Sequence, residues 1–428
     1  MRRKGKMIAA FLVSFLLVGC SKNSKSETVS PERETQLKEK SVAARQYTEG
    51  NIGFLEANDT VYWYDATTCL LNYLDERDMS WHVLCGKPNC SHVVETAENS
   101  MEHTSDCDAF IERMFNTPLG FYNGRIYYVE GVVALPDRWI SSIKADGTDH
   151  RRETEITFQQ GASATQCYFH YGRLYVLDSF VDKDSKLSIY TLDDNKKTTI
   201  TLNEYVGSLY PSGESVYYFQ INSDDFSDIR LKRMTLDGET INDQLNADES
   251  NQLSSSIGIY FANDAAYSFR QDKGLYKLDY ETGKETILWN DMADYDAPAY
   301  FLFSDGQYIY LRASGDEIYF QGDQHTLLIF DMNGNLIRDM DIVNTDEAKK
   351  QIRDKMNATE DKELKAQYQN YYNHIVGDGE ASGYDAFFGS IKGYLFSGNY
   401  AMPNQYLKIS DLSSEETALE WTDTTFSN

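Results

Sequence analysis

The chain has 428 residues, with 40 basic against 67 acidic side chains and a net charge of −27. Such a field repels phosphate backbones and anionic lipid surfaces, which argues against nucleic acid as a partner; the acidity reads as a solvated, solubilising surface. Thirty-one tyrosines against seven prolines exclude a disordered chain and suit a β-rich globular one.

Residues 1–19 begin with a basic stretch (Arg2, Arg3, Lys4, Lys6) and continue in an apolar run from Met7 to Val18, broken only by Ser14. These 12 residues fall short of the ~20 that span a bilayer as a helix. The segment therefore reads as an export signal. It ends Leu17-Val18-Gly19-Cys20, which resembles a bacterial lipobox. That resemblance implies cleavage just before Cys20, a diacylglyceryl group on its thiol, and a mature protein anchored through lipid at the extracytoplasmic face of the cell membrane. Acyl chains contribute about 0.8 kcal/mol per buried CH₂, so two of them hold a soluble domain stably. Residues 20–48 carry few apolar side chains and read as the lipidated cysteine followed by a flexible tether. A short helix within 32–45 would have little to pack against.

From residue 49 to 428 one unit recurs: a tight turn, an aromatic strand, a connection, a second strand and another tight turn. Its clearest copy is Tyr122-Asn123-Gly124-Arg125-Ile126-Tyr127-Tyr128-Val129, followed by Trp139-Ile140-Ser141-Ser142-Ile143-Lys144-Ala145-Asp146-Gly147-Thr148. Asn-Gly and Asp-Gly supply the positive φ angles of hairpin turns, and aromatic or β-branched residues fill the strands. Aligning the central strand residue gives Tyr62, Tyr127, Tyr175, Tyr217, Tyr267, Tyr310 and Leu395, and the four intervals from Tyr127 to Tyr310 are 48, 42, 50 and 43 residues. A four-stranded propeller blade needs ~40–50 residues. The fold expected is an all-β propeller of seven blades, with six or eight as alternatives. Tyr62-Trp63-Tyr64-Asp65 and Ala145-Asp146-Gly147-Thr148 resemble YWTD-type and "Asp-Gly-Thr" propeller repeats.

Two intervals are too long, and they mark insertions at about 84–110 and 345–374. In the second, Asn344 with Glu347 and Asn357 with Glu360 are spaced like capping boxes; two helices are expected over 346–356 and 360–373. The first holds Cys85, Cys90, His92 and Cys107 at C-x4-C-x-H-x14-C spacing. Three thiols and an imidazole form a common tetrahedral zinc shell, and a closed set of four would be structural. His103 competes with His92 for the nitrogen position. A disulfide-stapled loop is the alternative outside the cell, but without Cys20 five cysteines remain, an odd number that cannot all pair internally. The stretch Leu84-Cys85-Gly86-Lys87-Pro88-Asn89-Cys90-Ser91-His92, with Cys107-Asp108-Ala109, resembles a signature of uncharacterised propeller lipoproteins from Gram-positive gut bacteria.

No Gly-x-Ser-x-Gly elbow, phosphate-cradling loop or His-Glu-x-x-His helix occurs. Asp331-Met332-Asn333-Gly334-Asn335 has Ile342 where a calcium loop needs Glu, so a hairpin turn is expected there. No catalytic residue stands out, and whether the chain is an enzyme stays open. The expected function is a membrane-anchored binding or scaffold module for a protein, glycan or cell-envelope ligand; the alternative is a carbohydrate-active hydrolase or lyase.

Overall fold

The computed structural model describes residues 29–427 apart from 45–52, 67, 97–102, 113–117, 132–136, 204, 223–228, 242–257, 263, 271–273, 292–298, 315–324, 400–401 and 414–420, and apart from all but six residues of 342–384. Seven antiparallel sheets of four consecutive strands follow one another along the chain. Blade 1 comprises Phe54–Ala57, Thr60–Asp65, Leu70–Asp75 and Ser80–Val83; blade 2, Gly120–Tyr122, Arg125–Glu130, Asp137–Lys144 and Arg151–Thr157. Blade 3 comprises Ala164–His170, Arg173–Ser179, Ser185–Thr191 and Lys197–Leu202; blade 4, Tyr205–Ser212, Ser215–Ile221, Ile229–Thr235 and Thr240–Ile241. Blade 5 comprises Gly258–Phe261, Ala265–Arg270, Gly274–Asp279 and Glu285–Trp289; blade 6, Ala299–Ser304, Tyr308–Ser314, His325–Asp331 and Leu336–Asp341. Blade 7 comprises Asp385–Ile391, Tyr394–Asn399, Met402–Lys408 and Thr422–Asp423.

All seven aligned residues fall on the second strand of their blade and are at most 5% exposed. Residue alternation explains why these strands are apolar throughout. Successive side chains point to opposite faces of a sheet, and here both faces are covered. Val216 and Tyr218 pack toward blade 3, whereas Tyr217 and Phe219 pack toward blade 5. One apolar cluster lies at each of the seven interfaces between neighbouring blades, including that between blades 7 and 1. The core is thus a ring of seams, and the molecule is a seven-bladed β-propeller.

The last seam has an additional fastening. Thr425–Ser427 leaves the outer strand of blade 7 and pairs in parallel with Ser80–His82, the outer strand of blade 1. Trp81 Nε1 and Thr424 Oγ1 both donate to the Pro403 carbonyl, at 3.1 and 2.8 Å. Phe54, Trp81 and Phe396 pack ring to ring with centroids 5.9–6.1 Å apart.

Residues 29–44 depart from the tether expected over 20–48, and the expectation that a helix there lacks a packing surface is corrected. Ser30 caps a helix, α1 (Pro31–Glu39), its Oγ accepting from the Arg33 N–H, with proline at the first position and Glu32 and Glu34 in the first turn. Leu37, the one buried side chain of the helix, is 0% exposed among Tyr122, Phe169 and their neighbours. Beyond α1 the Lys40 carbonyl accepts from Asn123 N–H and the Val42 carbonyl from Tyr171 N–H, at 2.8 and 3.1 Å. This arm lies across the first hairpins of blades 2 to 4. The helix pair expected over 346–356 and 360–373 lies mostly outside the described residues; Arg353, Asp354, Met356, Asn357, Lys362 and Lys365 are helical.

Candidate metal centre

The long connection from blade 1 to blade 2 is wedged between the two sheets. Leu84 N–H extends the ladder of blade 1 by donating to the Leu71 carbonyl at 2.8 Å, and Gly86 N–H donates to the Gly147 carbonyl of blade 2 at 2.8 Å. Glycine is required at 86 by that approach: a Cβ would stand 2.3 Å from Thr148 Cγ2 and 3.1 Å from the Gly147 oxygen. The chain then turns through Asn89 and His92, both at positive φ (62° and 54°), and Cys90 N–H donates to the Lys87 carbonyl. Asn89 tolerates this region better than most residues.

A two-stranded ribbon, Glu95–Thr96 with His103–Thr104, follows. The chain returns through Cys107, whose N–H donates to Ser105 Oγ at 3.2 Å. Leu71 N–H to the Ala109 carbonyl and Ile111 N–H to the Cys69 carbonyl then tie the exit to blade 1. Lys87 Nζ holds the two halves together through Asp108, at 2.9 Å, and the Asp106 carbonyl.

These ties bring Cys85, Cys90, His92 and Cys107 together, with one donor atom of each within 4.8 Å of all the others. His92 Nδ1 is 3.4 Å from Cys107 Sγ. His103 is elsewhere: its Nδ1 meets Thr96 Oγ1 at 3.2 Å on the ribbon. The nitrogen position therefore falls to His92. None of the five described cysteines is in a disulfide.

The electrostatics are those of crowded thiols. Burial pushes the Cys107 thiol far above its usual range, and the adjacent Cys85 adds to the effect. Burial also opposes the Cys85 thiolate, yet the N–H groups of Lys87 and Asp108 and the neighbouring thiols bring it below the ordinary value. Burial holds His92 toward the neutral imidazole, the form that binds metals. A cation among the donors would compensate several thiolates at once.

The donor set fits zinc. Zn–S of ~2.3 Å and Zn–N of ~2.0 Å place tetrahedral ligands roughly 3.5–3.8 Å apart, inside the observed 4.8 Å. A recess of about 330 Å³ lined by Cys90, Ser91, Val93, Glu95 and Thr104–Cys107 opens beside the cluster. Cys69 and Cys167 stand apart as buried side chains, 5% and 2% exposed.

Two further features had no signal in the sequence. Asp75, Asp78 and His82 also bring donor atoms within 4.8 Å of one another. Their carboxylates are engaged, however: Asp75 by Arg77, which depresses its pKa, and Asp78 by the N–H and Oγ of Ser80.

The second feature is a cavity of about 580 Å³ where the first strands of the blades converge. Glu56, Asn58, Asp59, Tyr260, Asp305 and Lys392 line it, together with Val42–Ala44 of the arm. Asp305 accepts from the N–H groups of Gln307 and Tyr308 and from the Tyr310 hydroxyl, at 2.7–2.8 Å. Glu56 accepts from Lys392 N–H at 2.9 Å. Hairpin geometry brings these acidic groups of blades 1 and 6 to one cavity.

No family model matches the chain, and no curated protein does. Among solved structures it is similar to an uncharacterized protein of Listeria monocytogenes (8% identity, TM-score 0.36, covering 51% of this chain and 62% of that one). It is similar also to the Synechocystis apocarotenoid oxygenase (10%, 0.37, 69% and 71%) and to a Mycobacterium tuberculosis puromycin-hydrolyzing peptidase (15%, 0.39, 70% and 46%). The chain thus spans less than two thirds of the Listeria protein and under half of the peptidase. Likeness at this level assigns no activity.

Proposed function

We propose that the chain is a lipid-anchored extracytoplasmic lipoprotein whose propeller is a binding or scaffold module for a protein, glycan or cell-envelope ligand. In this reading zinc on Cys85, Cys90, His92 and Cys107 staples the seam between blades 1 and 2. The carrying observation is the four donors gathered within 4.8 Å on a loop that is tied to both blades. A shell of four protein ligands leaves no open position for water or substrate, so the metal would organise a surface and catalyse nothing. Support for anchoring comes from residues 1–20. Support for binding comes from the central cavity of about 580 Å³, lined by polar side chains that include Asn58, Asp59, Tyr260 and Lys392.

Metal analysis of the purified mature protein tests the staple: about one zinc per chain is expected. A ratio near zero with a disulfide among Cys85, Cys90 and Cys107 would end it. Pull-down and glycan-array binding test the module. Release of products from a polysaccharide panel, in place of stable binding, would substitute a hydrolase or lyase.

A further inference from the structure

The arm is docked on the propeller by contacts along its whole length. Val29 N–H donates to Asp237 Oδ2, in the turn between the third and fourth strands of blade 4, at 3.1 Å. The Arg33 guanidinium meets Asp193 and Asp194 in the equivalent turn of blade 3, at 2.7 Å each. Arg173 of blade 3, whose side chain is 0% exposed, is clamped between Glu34 of α1 and Asp237. Lys38 pairs with Glu214 in the first hairpin of blade 4. Ala44 N–H ends the arm at the cavity mouth by donating to His170 Nδ1 at 2.8 Å. The arm therefore runs inward from the outer rim of blades 3 and 4, over the face that carries the first hairpins.

We infer that the docked arm presents this propeller to a lipid surface rim-first, with the edge of blades 3 and 4 on the first-hairpin face held nearest the membrane. The inference rests on the lipoprotein reading for its anchor at Cys20. Eight residues separate Cys20 from Val29, and a chain extends at most ~3.6 Å per residue, so the rim lies within roughly 30 Å of the acylated residue. A tether that short, entering at the rim where Val29 and Arg33 meet Asp237, Asp193 and Asp194, makes blade 7, across the ring, and the opposite face the distal surfaces. Those are the surfaces left for an extracellular partner.

The experiment places a fluorescent, non-thiol label at one of three exposed positions and measures energy transfer to an acceptor dye in vesicles. Glu239 marks the blade 4 rim, Arg77 the same face at blade 1, and Asp182 the opposite face at blade 3. The chain from residue 20 is coupled through its N-terminus to a lipid, so the readout does not depend on native acylation. Mass spectrometry of Cys20 in the cell-derived protein decides that separately.

Transfer from 239 is expected to exceed that from 77 and from 182 by at least about twofold. Leu37→Asp, which strips the arm, should bring the three together while the protein stays vesicle-bound. If that variant loses its circular dichroism, Glu34→Gln, which removes one clamp on Arg173, should still narrow the contrast. Equal transfer from all three positions, or highest transfer from 77 or 182, overturns the inference.

Discussion

The loop at 84–110 and the arm at 29–44 are both additions to the ring, and they differ in what they add to shared backbone ties. The loop is sewn in by backbone hydrogen bonds to blades 1 and 2, and its free interior converges on three sulfurs and an imidazole. The arm has backbone ties as well, at Lys40 and Val42, but its helix is fixed by charge: Arg33, Glu34 and Lys38 meet Asp193, Asp194, Arg173 and Glu214, with Leu37 buried and Val29 and Val42 packed at the seams. Soft ligands respond to a metal and ignore salt, whereas exposed ion pairs weaken with salt. The two attachments should therefore loosen under different conditions.

Chelation of the proposed zinc gives the largest contrast. A ligand at a thousandfold excess over its Kd stabilises the bound form by about 4 kcal/mol. Chelation should then speed hydrogen exchange in 84–111 by up to about a thousandfold and leave 31–44 unchanged. Equal loosening of both segments would erase the distinction. Arg173→Met comes next and acts in reverse. Removing one partner of a buried pair costs about 3–5 kcal/mol; Glu34 and Asp237 are partly exposed and rehydrate in part, which places this loss near 3. Protease cleavage within 31–44 should rise and metal content should stay constant.

Acid probes the inner end of the arm. His170 accepts from Ala44 N–H through Nδ1 and donates through Nε2 to the Gly213 carbonyl at 2.8 Å, so the neutral ring is the bound form. Burial lowers its pKa to about 4; the Gly213 carbonyl opposes the shift, Arg173 and Lys38 reinforce it and Glu214 counters it. Between that value and the unfolded ~6.5 the unfolded chain binds the extra proton. Stability is therefore complete above ~6.5 and falls as pH drops toward 4, by up to about 3 kcal/mol. Urea midpoints of the wild type should decline over that range more steeply than those of His170→Gln. Arg33→Ala is the smallest effect. Its partly exposed pairs should be worth under about 1 kcal/mol and vanish in high salt, readable as a shift in proteolysis of the arm alone.

The propeller was legible because every blade repeats the same two constraints. A strand buried on both faces must be apolar throughout, as Val216-Tyr217-Tyr218-Phe219 is, and a tight hairpin needs positive φ, as Asn123-Gly124 supplies at 48° and 78°. Asp331 likewise behaves as a turn residue, its Oδ1 accepting from Asn333 and Asn335 N–H at 2.9 Å. The Cys/His cluster was legible from spacing because all four of its side chains share one loop. Only coordinates separate His92 from His103, since the ribbon at 95–104 turns His103 away. A short helix within 32–45 was legible, but the docking of the arm was not. One leucine in a helix of otherwise polar residues makes no periodic signal, and the clamp on Glu34 is 139 residues distant at Arg173. The three-residue pairing of Thr425–Ser427 is too short to stand out.

That last pairing sets a timetable for the chain. The outer edge of Ser80–Val83 is covered only when Thr425–Ser427 arrives, so the first blade to be made is the last to be completed. A blade 1 that forms before the C-terminus arrives offers an unpaired strand, the kind of edge that recruits foreign strands. Whatever escorts the unclosed chain has that edge to shield in addition to the outer strands of the other blades.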